Sequence, residues 1–212
     1  MSEIDPRRAW LELLSVTTLV FTYIWLWQDS FEGDFLVCLI LVVAITLSGH
    51  RYRGETPRDL GFRLDNLGQS AREVFTVVGP LLLVMVIVGL SLGWNREPPI
   101  ARLMTRMSLM PLFGIVQEYV LLGFYFRRFS EVLPGSTLPI LAAASVFALL
   151  HLPNAPLVFM SFLVGLGACW FYRKTPNLWV LGFAHGLLSI AVAMFLAKLL
   201  IVGLKVGPRA LR

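Results

Sequence analysis

The sequence predicts an all-α fold, a polytopic transmembrane helical bundle of about seven spans. Three observations predict it. The 212 residues are 57% hydrophobic and only 15% charged, against roughly 45–50% apolar and about 25% charged in soluble domains. Mean hydropathy is +0.75, more apolar surface than a single soluble core of this size can hide, since a folded domain still exposes roughly 30% of its unfolded surface. Apolar residues also run in stretches near the ~20 residues that one membrane span needs. A soluble globular enzyme, a disordered chain and a disulfide scaffold are thereby excluded. We expect residues 1–212 to form a single integral membrane domain.

Seven apolar stretches follow in order: Ala9–Trp27, Phe35–Ser48, Val74–Trp94, Ser108–Phe126, Thr137–Leu152, Pro156–Tyr172 and Leu178–Val202. The second and fifth are short and must borrow flanking residues. The first is too long for a signal peptide, and Gln28-Asp29 follows it in place of a small-residue cleavage site. Cys38 and Cys169 both fall inside apolar runs and read as small buried hydrophobes. Between the second and third stretches, Leu60, Phe62, Leu64 and Leu67 alternate with Arg58, Asp59, Arg63 and Asp65. That pattern suits a short amphipathic segment on the membrane surface, or a solvated linker with a few apolar anchors.

The formal net charge is +5, but the basic residues lie at span ends, where they set orientation. No nucleic-acid partner is implied. Arg7 and Arg8, the loop with Arg51, Arg53, Arg58 and Arg63, the pair Arg127-Arg128, and Arg173-Lys174 favour a cytoplasmic N-terminus. Arg96, Arg102 and Arg106, with the tail residues Lys205, Arg209 and Arg212, pull the other way.

Ionisable groups inside hydrocarbon are costly, at least ~2.5–3.5 kcal/mol at a helix centre, and are functional candidates by default. Of 13 acidic residues, only Glu118 lies well inside a span. Glu12 stands near a helix entrance within reach of water. His50 falls in a polar loop and reads as solvated, whereas His151 and His185 lie in apolar stretches. Lys198 can snorkel to a nearby end. Gln117, Asn154 and Ser189 are the neighbouring polar groups. One carboxylate and two imidazoles on separate helices cost less gathered in one cavity than scattered against lipid. Glu118 and Leu122 are four apart, with Gly114 one turn earlier; Gly114 and Gly123 leave room for a close neighbour, and Gly182 and Gly186 thin the helix around His185.

Three chemistries fit such a cluster. A carboxylate can take a proton from water while imidazoles hold that water and polarise a carbonyl. Two histidines and a carboxylate are also a common metal-ligand set. The same groups could serve a structural or proton-relay role in a transporter, where broken helices are expected and only Gly79-Pro80 and Pro111 hint at them. Neither HExxH nor GxSxG occurs.

The spacings resemble those of the CPBP family, the CAAX-prenyl protease and bacteriocin-processing intramembrane endopeptidases. That family carries Glu-Glu-x-x-x-Arg, then Phe-x-x-x-His, then His-x-x-x-Asn on successive helices. The corresponding blocks are Gln117-Glu118 through Leu122, Phe147 through His151 followed by Leu152-Pro153, and His185 through Ser189. The motif-bearing half is about residues 108–202. The resemblance implies a metal-independent, cofactor-free glutamic endopeptidase in a bacterial or archaeal cell membrane, acting on a membrane-associated peptide or protein. It implies that His151 orients the water, that His185 polarises the scissile carbonyl, and that Ser189 stands in the asparagine position. Two positions depart from the pattern. Gln117 occupies the first glutamate slot, and an amide cannot accept the proton from water. Leu122 replaces the arginine, which leaves Glu118 without that charge partner. Three explanations follow: Glu118 has taken over as base, about 100° around the helix from Gln117; the chain is an inactive relative serving as a membrane binding, immunity or assembly factor; or Gln117 is an introduced inactivating change, which would not by itself explain Leu122.

Overall fold

The computed structural model describes residues 5–96, 99–200 and 202–211, with the side chain of Arg102 excepted. Arg212 and the Arg102 side chain, both part of the charge pattern above, lie outside the described residues. All regular structure among these residues is helical.

Helix α1 (Pro6–Thr22) starts at Asp5, whose carboxylate accepts from Arg7 N, with Pro6 in the first turn where its missing N–H costs nothing. It ends in a wider turn of i→i+5 bonding at Tyr23–Trp27. Helix α2 spans Asp34–Arg53 and is closed by Gly54 in the left-handed conformation, φ +65°. It is six residues longer than the apolar run that announces it, because Asp34 and Gly49–Arg53 are helical as well. Helix α3 covers Leu67–Ser91 and α4 Ile100–Glu118, each running straight through an internal proline, Pro80 and Pro111. Neither proline breaks its helix, so the transporter hint they carried is not realised there. From α4 the chain continues through an i→i+5 stretch, Tyr119–Phe126, into the short α5, Arg127–Val132. Helices α6 (Leu138–Leu149), α7 (Ala155–Lys174) and α8 (Leu178–Phe195) complete the bundle.

Counting α4 and α5 as one rod, seven α-helices result among the described residues, and six are long and apolar enough to cross a membrane. The exception, α6, has 12 residues, about 18 Å at 1.5 Å per residue, against a hydrocarbon core of ~30 Å. The α6–α7 turn therefore ends short of a full crossing. Irregular backbone at such depth is tolerated only where protein or a wet cavity covers it. The tail beyond α8 does the covering: Gly207 N donates to Leu152 O at 2.7 Å, and Asn154 Nδ2 donates to the carbonyls of Gly203 and Lys205 at 2.8 and 3.2 Å. Lys198 lies in this tail, exposed and past the end of α8, not inside a span.

Where α4 meets α8 the two backbones touch. A Cβ built on Gly114 would stand 2.3 Å from Gly182 O, one on Gly182 would stand 2.4 Å from Ile115 Cα, and one on Gly186 would stand 2.5 Å from Pro111 Cα. This is the small-residue packing that lets membrane helices approach closely. Gly123 serves no such purpose, since its nearest neighbours are side-chain atoms of Tyr119.

A second polar assembly closes the end of the bundle that holds the N-terminus. Arg128 is fully buried. Its guanidinium contacts Glu12 at 3.0 Å, Glu55 at 2.6 Å and Glu131 at 2.5 Å. Arg53 bridges Glu12 and Glu131 at 2.9 and 2.8 Å, and His50 Nδ1 lies 2.6 Å from Glu55 Oε2. This overturns two expectations. His50 is 2% exposed and Glu12 8% exposed, so neither is solvated; each is paired inside the bundle. The loop after α2 forms no helix before Leu67 and is a linker with apolar anchors. Leu60 is buried, Tyr172 Oη donates to Leu60 O at 3.0 Å, and Leu178 N donates to Gly61 O at 2.9 Å. Gly61 adopts φ +91° there, which brings its backbone against the start of α8.

Cys38 and Cys169 are both buried and free.

Two outcomes are expected. Gly182→Ala should lower stability by about 1–3 kcal/mol, as overpacking against backbone does, whereas Gly167→Ala, with nothing within 4 Å of the new Cβ, should be close to neutral; thermal unfolding in detergent measures both. For Glu55, burial alone would raise the carboxyl pKa, but hydrogen bonds from His50 and Arg128 and the charges of Arg128 and Arg127 outweigh it and hold it below the usual range. A depressed carboxylate stabilises the fold above its unfolded pKa and loses that contribution as pH falls toward its folded pKa. The melting temperature should therefore drop on acidification from about pH 5 to about pH 3, and the drop should shrink in Glu55→Gln.

Candidate active site

The α4–α8 contact places Glu118 opposite His185. Glu118 Oε1 and His185 Nδ1 are 2.6 Å apart. Glu118 is 1% exposed and His185 9%. The second carboxylate oxygen, Oε2, is buried and has no hydrogen-bond partner. Such an orphan is rare, because an unsatisfied buried polar atom is costly.

Each partner is fixed by its own helix. Asn177 caps α8: its side-chain oxygen accepts from Val180 N at 3.0 Å, while its amide donates to Arg63 O and Asn66 Oδ1 at 2.9 and 2.8 Å. The loop after α2 thereby sets the start of the helix that carries His185. Immediately after Glu118, Tyr119 Oη donates to Thr46 Oγ1 on α2 at 2.8 Å. The i→i+5 stretch begins at that tyrosine, and turns of this kind recur at functional sites. Leu122 is fully buried, and the polar partner of Glu118 is His185.

His151 stands just past α6. Its Nδ1–H donates to Phe147 O at 2.8 Å, which leaves Nε2 as the acceptor nitrogen. The Phe147 ring lies edge-to-face with both imidazoles, 4.9 Å from His151 and 5.7 Å from His185 between centroids. The two histidines thus flank one phenyl ring, and the acid contacts the one on α8, His185.

The remaining sequence candidates divide. Gln117 is half-buried beside Glu118. Ser189, one turn beyond His185, lines a cavity of about 240 Å³ between α4, α8 and the tail. Asn154 does not join the site: it caps α7 by accepting from Leu157 N and ties down the tail. Among the described residues, no group of three or more His, Cys, Asp or Glu side chains is placed to hold a metal ion.

With this geometry in view, comparison with known families is informative. Residues 99–191 match the family described as Type II CAAX prenyl endopeptidase Rce1-like. Over this stretch the chain is similar to that family. The matched segment contains α4 through most of α8, and with them Glu118, Phe147, His151, His185 and Ser189. The kind of function it supports is that of a CAAX-type intramembrane protease. Comparison with curated proteins gives no match, and neither does comparison with solved structures.

The ion network around Arg128 lies partly within the Rce1-like segment, and sequence reasoning missed it. Arg127-Arg128 read only as an orientation signal. The helical spacings Arg8/Glu12 and Arg128/Glu131, realised here as ion pairs, were the available clue.

Asn154→Ala should cost about 1 kcal/mol, the value of a lost helix cap, and should free the tail. Limited trypsin digestion is expected to cut at Lys205 and Arg209 faster than in the unmodified protein.

Proposed function

We propose that the protein is an intramembrane endopeptidase that hydrolyses a peptide bond of a membrane-associated protein or peptide tail with water activated by Glu118. The buried 2.6 Å contact between Glu118 and His185, with Oε2 left unpartnered, is the observation that carries it.

In the competent state the pair is an imidazolium–carboxylate. His185 donates through Nδ1–H to Glu118 Oε1, which neutralises the acid in the way the arginine absent at Leu122 would. Its Nε2–H then remains available to the scissile carbonyl oxygen, where negative charge develops. Glu118 Oε2 takes the proton of the attacking water. His151 Nε2, an acceptor because its Nδ1–H is spent on Phe147 O, takes a hydrogen bond from the same water and orients it. The hydroxide oxygen bonds to the carbonyl carbon. The carbon–nitrogen bond then breaks as the proton held by Glu118 passes to the leaving amine, giving a carboxylic acid and an amine. Ser189 offers a second donor on the His185 face, and the Gln117 amide supplies polar contact beside the acid. The N-terminal end of the bundle, richest in Arg and Lys, faces the cytoplasm on this proposal.

Gln117 and Leu122 motivate the competing possibility of an inactive relative that binds or assembles with a partner. Release of peptide fragments from a membrane-anchored reporter in proteoliposomes, read by mass spectrometry, separates the two. Glu118→Gln should lower release by at least about 100-fold, the usual worth of a general base, as should His185→Ala; His151→Ala should lower it strongly as well. Unchanged release in Glu118→Gln overturns the mechanism. A cellular phenotype that survives simultaneous replacement of all three favours the non-enzymatic alternative.

A further inference from the structure

Beneath the proposed site, away from the N-terminal end, lies the cavity of about 240 Å³ lined by Ser189. Met110 of α4, Ala193 of α8, and Ala197 and Leu200 of the tail give it apolar walls. Arg96 and Arg106 also line it, the first exposed and the second half-buried. They mark its opening toward water, since α4 begins and α8 ends at this end of the bundle. Elsewhere the arginines that line a recess are paired: Arg53, Arg58, Arg63 and Arg127, which border the large polar depression at the other end, each contact a carboxylate. Arg96 and Arg106 contact none among the described residues. Arg96 is nevertheless held in place through its backbone, whose N–H donates to Met194 O at 2.8 Å.

We infer that this cavity is a binding site for an anionic phospholipid, with the phosphate between Arg96 and Arg106 and the end of one acyl chain against Met110 and Ala193. Two unpaired guanidiniums at a membrane boundary attract negative headgroups, and guanidinium suits phosphate oxygens geometrically. The apolar walls directly beneath them call for hydrocarbon and not for a hydrated ion. The volume falls short of the ~300–1,000 Å³ of a site that encloses a whole small ligand. It therefore takes part of a chain while the rest of the lipid stays in the bilayer. Ser189 is one turn from His185, about 6 Å along the axis, so the chain end approaches the Glu118–His185 pair from below. The inference concerns this cavity alone and stands or falls independently of the cleavage reaction.

Native mass spectrometry of the full-length protein tests it, using detergent micelles doped with phosphatidylglycerol or phosphatidylcholine of identical acyl chains. One phosphatidylglycerol should be retained per protein in preference to phosphatidylcholine. Arg96→Ala/Arg106→Ala should reduce that retention about 30-fold, the effect of two surface cations. Ala193→Trp, which fills the cavity and leaves both arginines, should reduce it too. Arg173→Ala, at the other end of the bundle, should leave it unchanged. Circular dichroism verifies that each variant is folded. Equal retention of the two lipids, or undiminished phosphatidylglycerol in the double arginine variant, overturns the inference. Complete displacement by glycerol phosphate would show a site for a free anion, and displacement by a short apolar peptide with a free carboxylate would show a peptide site; either result also overturns it.

Discussion

The candidate site depends on how closely α4 and α8 can approach. With Gly114, Gly182 and Gly186 at the crossing, main chain packs on main chain, and the side chains just beyond are brought within hydrogen-bond distance. Glu118 and His185 meet for that reason. Lipid supplies no hydrophobic drive between helices, so close contact of small residues and interhelical hydrogen bonds must hold them together. Here the two devices are one turn apart and serve each other. The glycines bring the acid to the imidazole, and the bond between those groups adds to the cohesion of the crossing.

The two buried charged assemblies differ in kind. Around Arg128, three carboxylates and two arginines engage one another. Breaking into a buried ion pair by removing one member costs about 3–5 kcal/mol, so the network pins α1, α2 and the end of the α4–α5 rod together. Both assemblies keep buried atoms without a hydrogen bond, but of opposite kind: Arg128 Nε and His50 Nε2 at the one, the carboxylate oxygen Glu118 Oε2 at the other. At the crossing, His151 has one ring nitrogen committed to Phe147 O. The unspent lone pairs of a carboxylate suit chemistry on a small molecule such as water.

Composition and apolar run length carried the fold class, and the cost of ions in hydrocarbon singled out Glu118, His151 and His185. The glycines around His185 were legible as a thinning of the helix, and they thin it against α4. What was not legible came from long-range contact. His50 looked like a loop residue because α2 continues past its apolar run. Arg128 looked like a topology marker because its carboxylate partners, Glu12 and Glu55, are distant in sequence. Asn154 looked like a site residue from its proximity to His151, but its hydrogen-bonding capacity is spent on a helix start and on the tail.

Helix α6 is only 12 residues long, and this has a consequence for the surrounding lipid. A rod so much shorter than its neighbours produces hydrophobic mismatch on one flank alone, and a bilayer answers mismatch by thinning locally. The shortfall lies at the α6–α7 end, beside Leu149, which faces outward, and the leaflet there is drawn inward. Less hydrocarbon then separates water from the depth of His151 on the side where α6 ends.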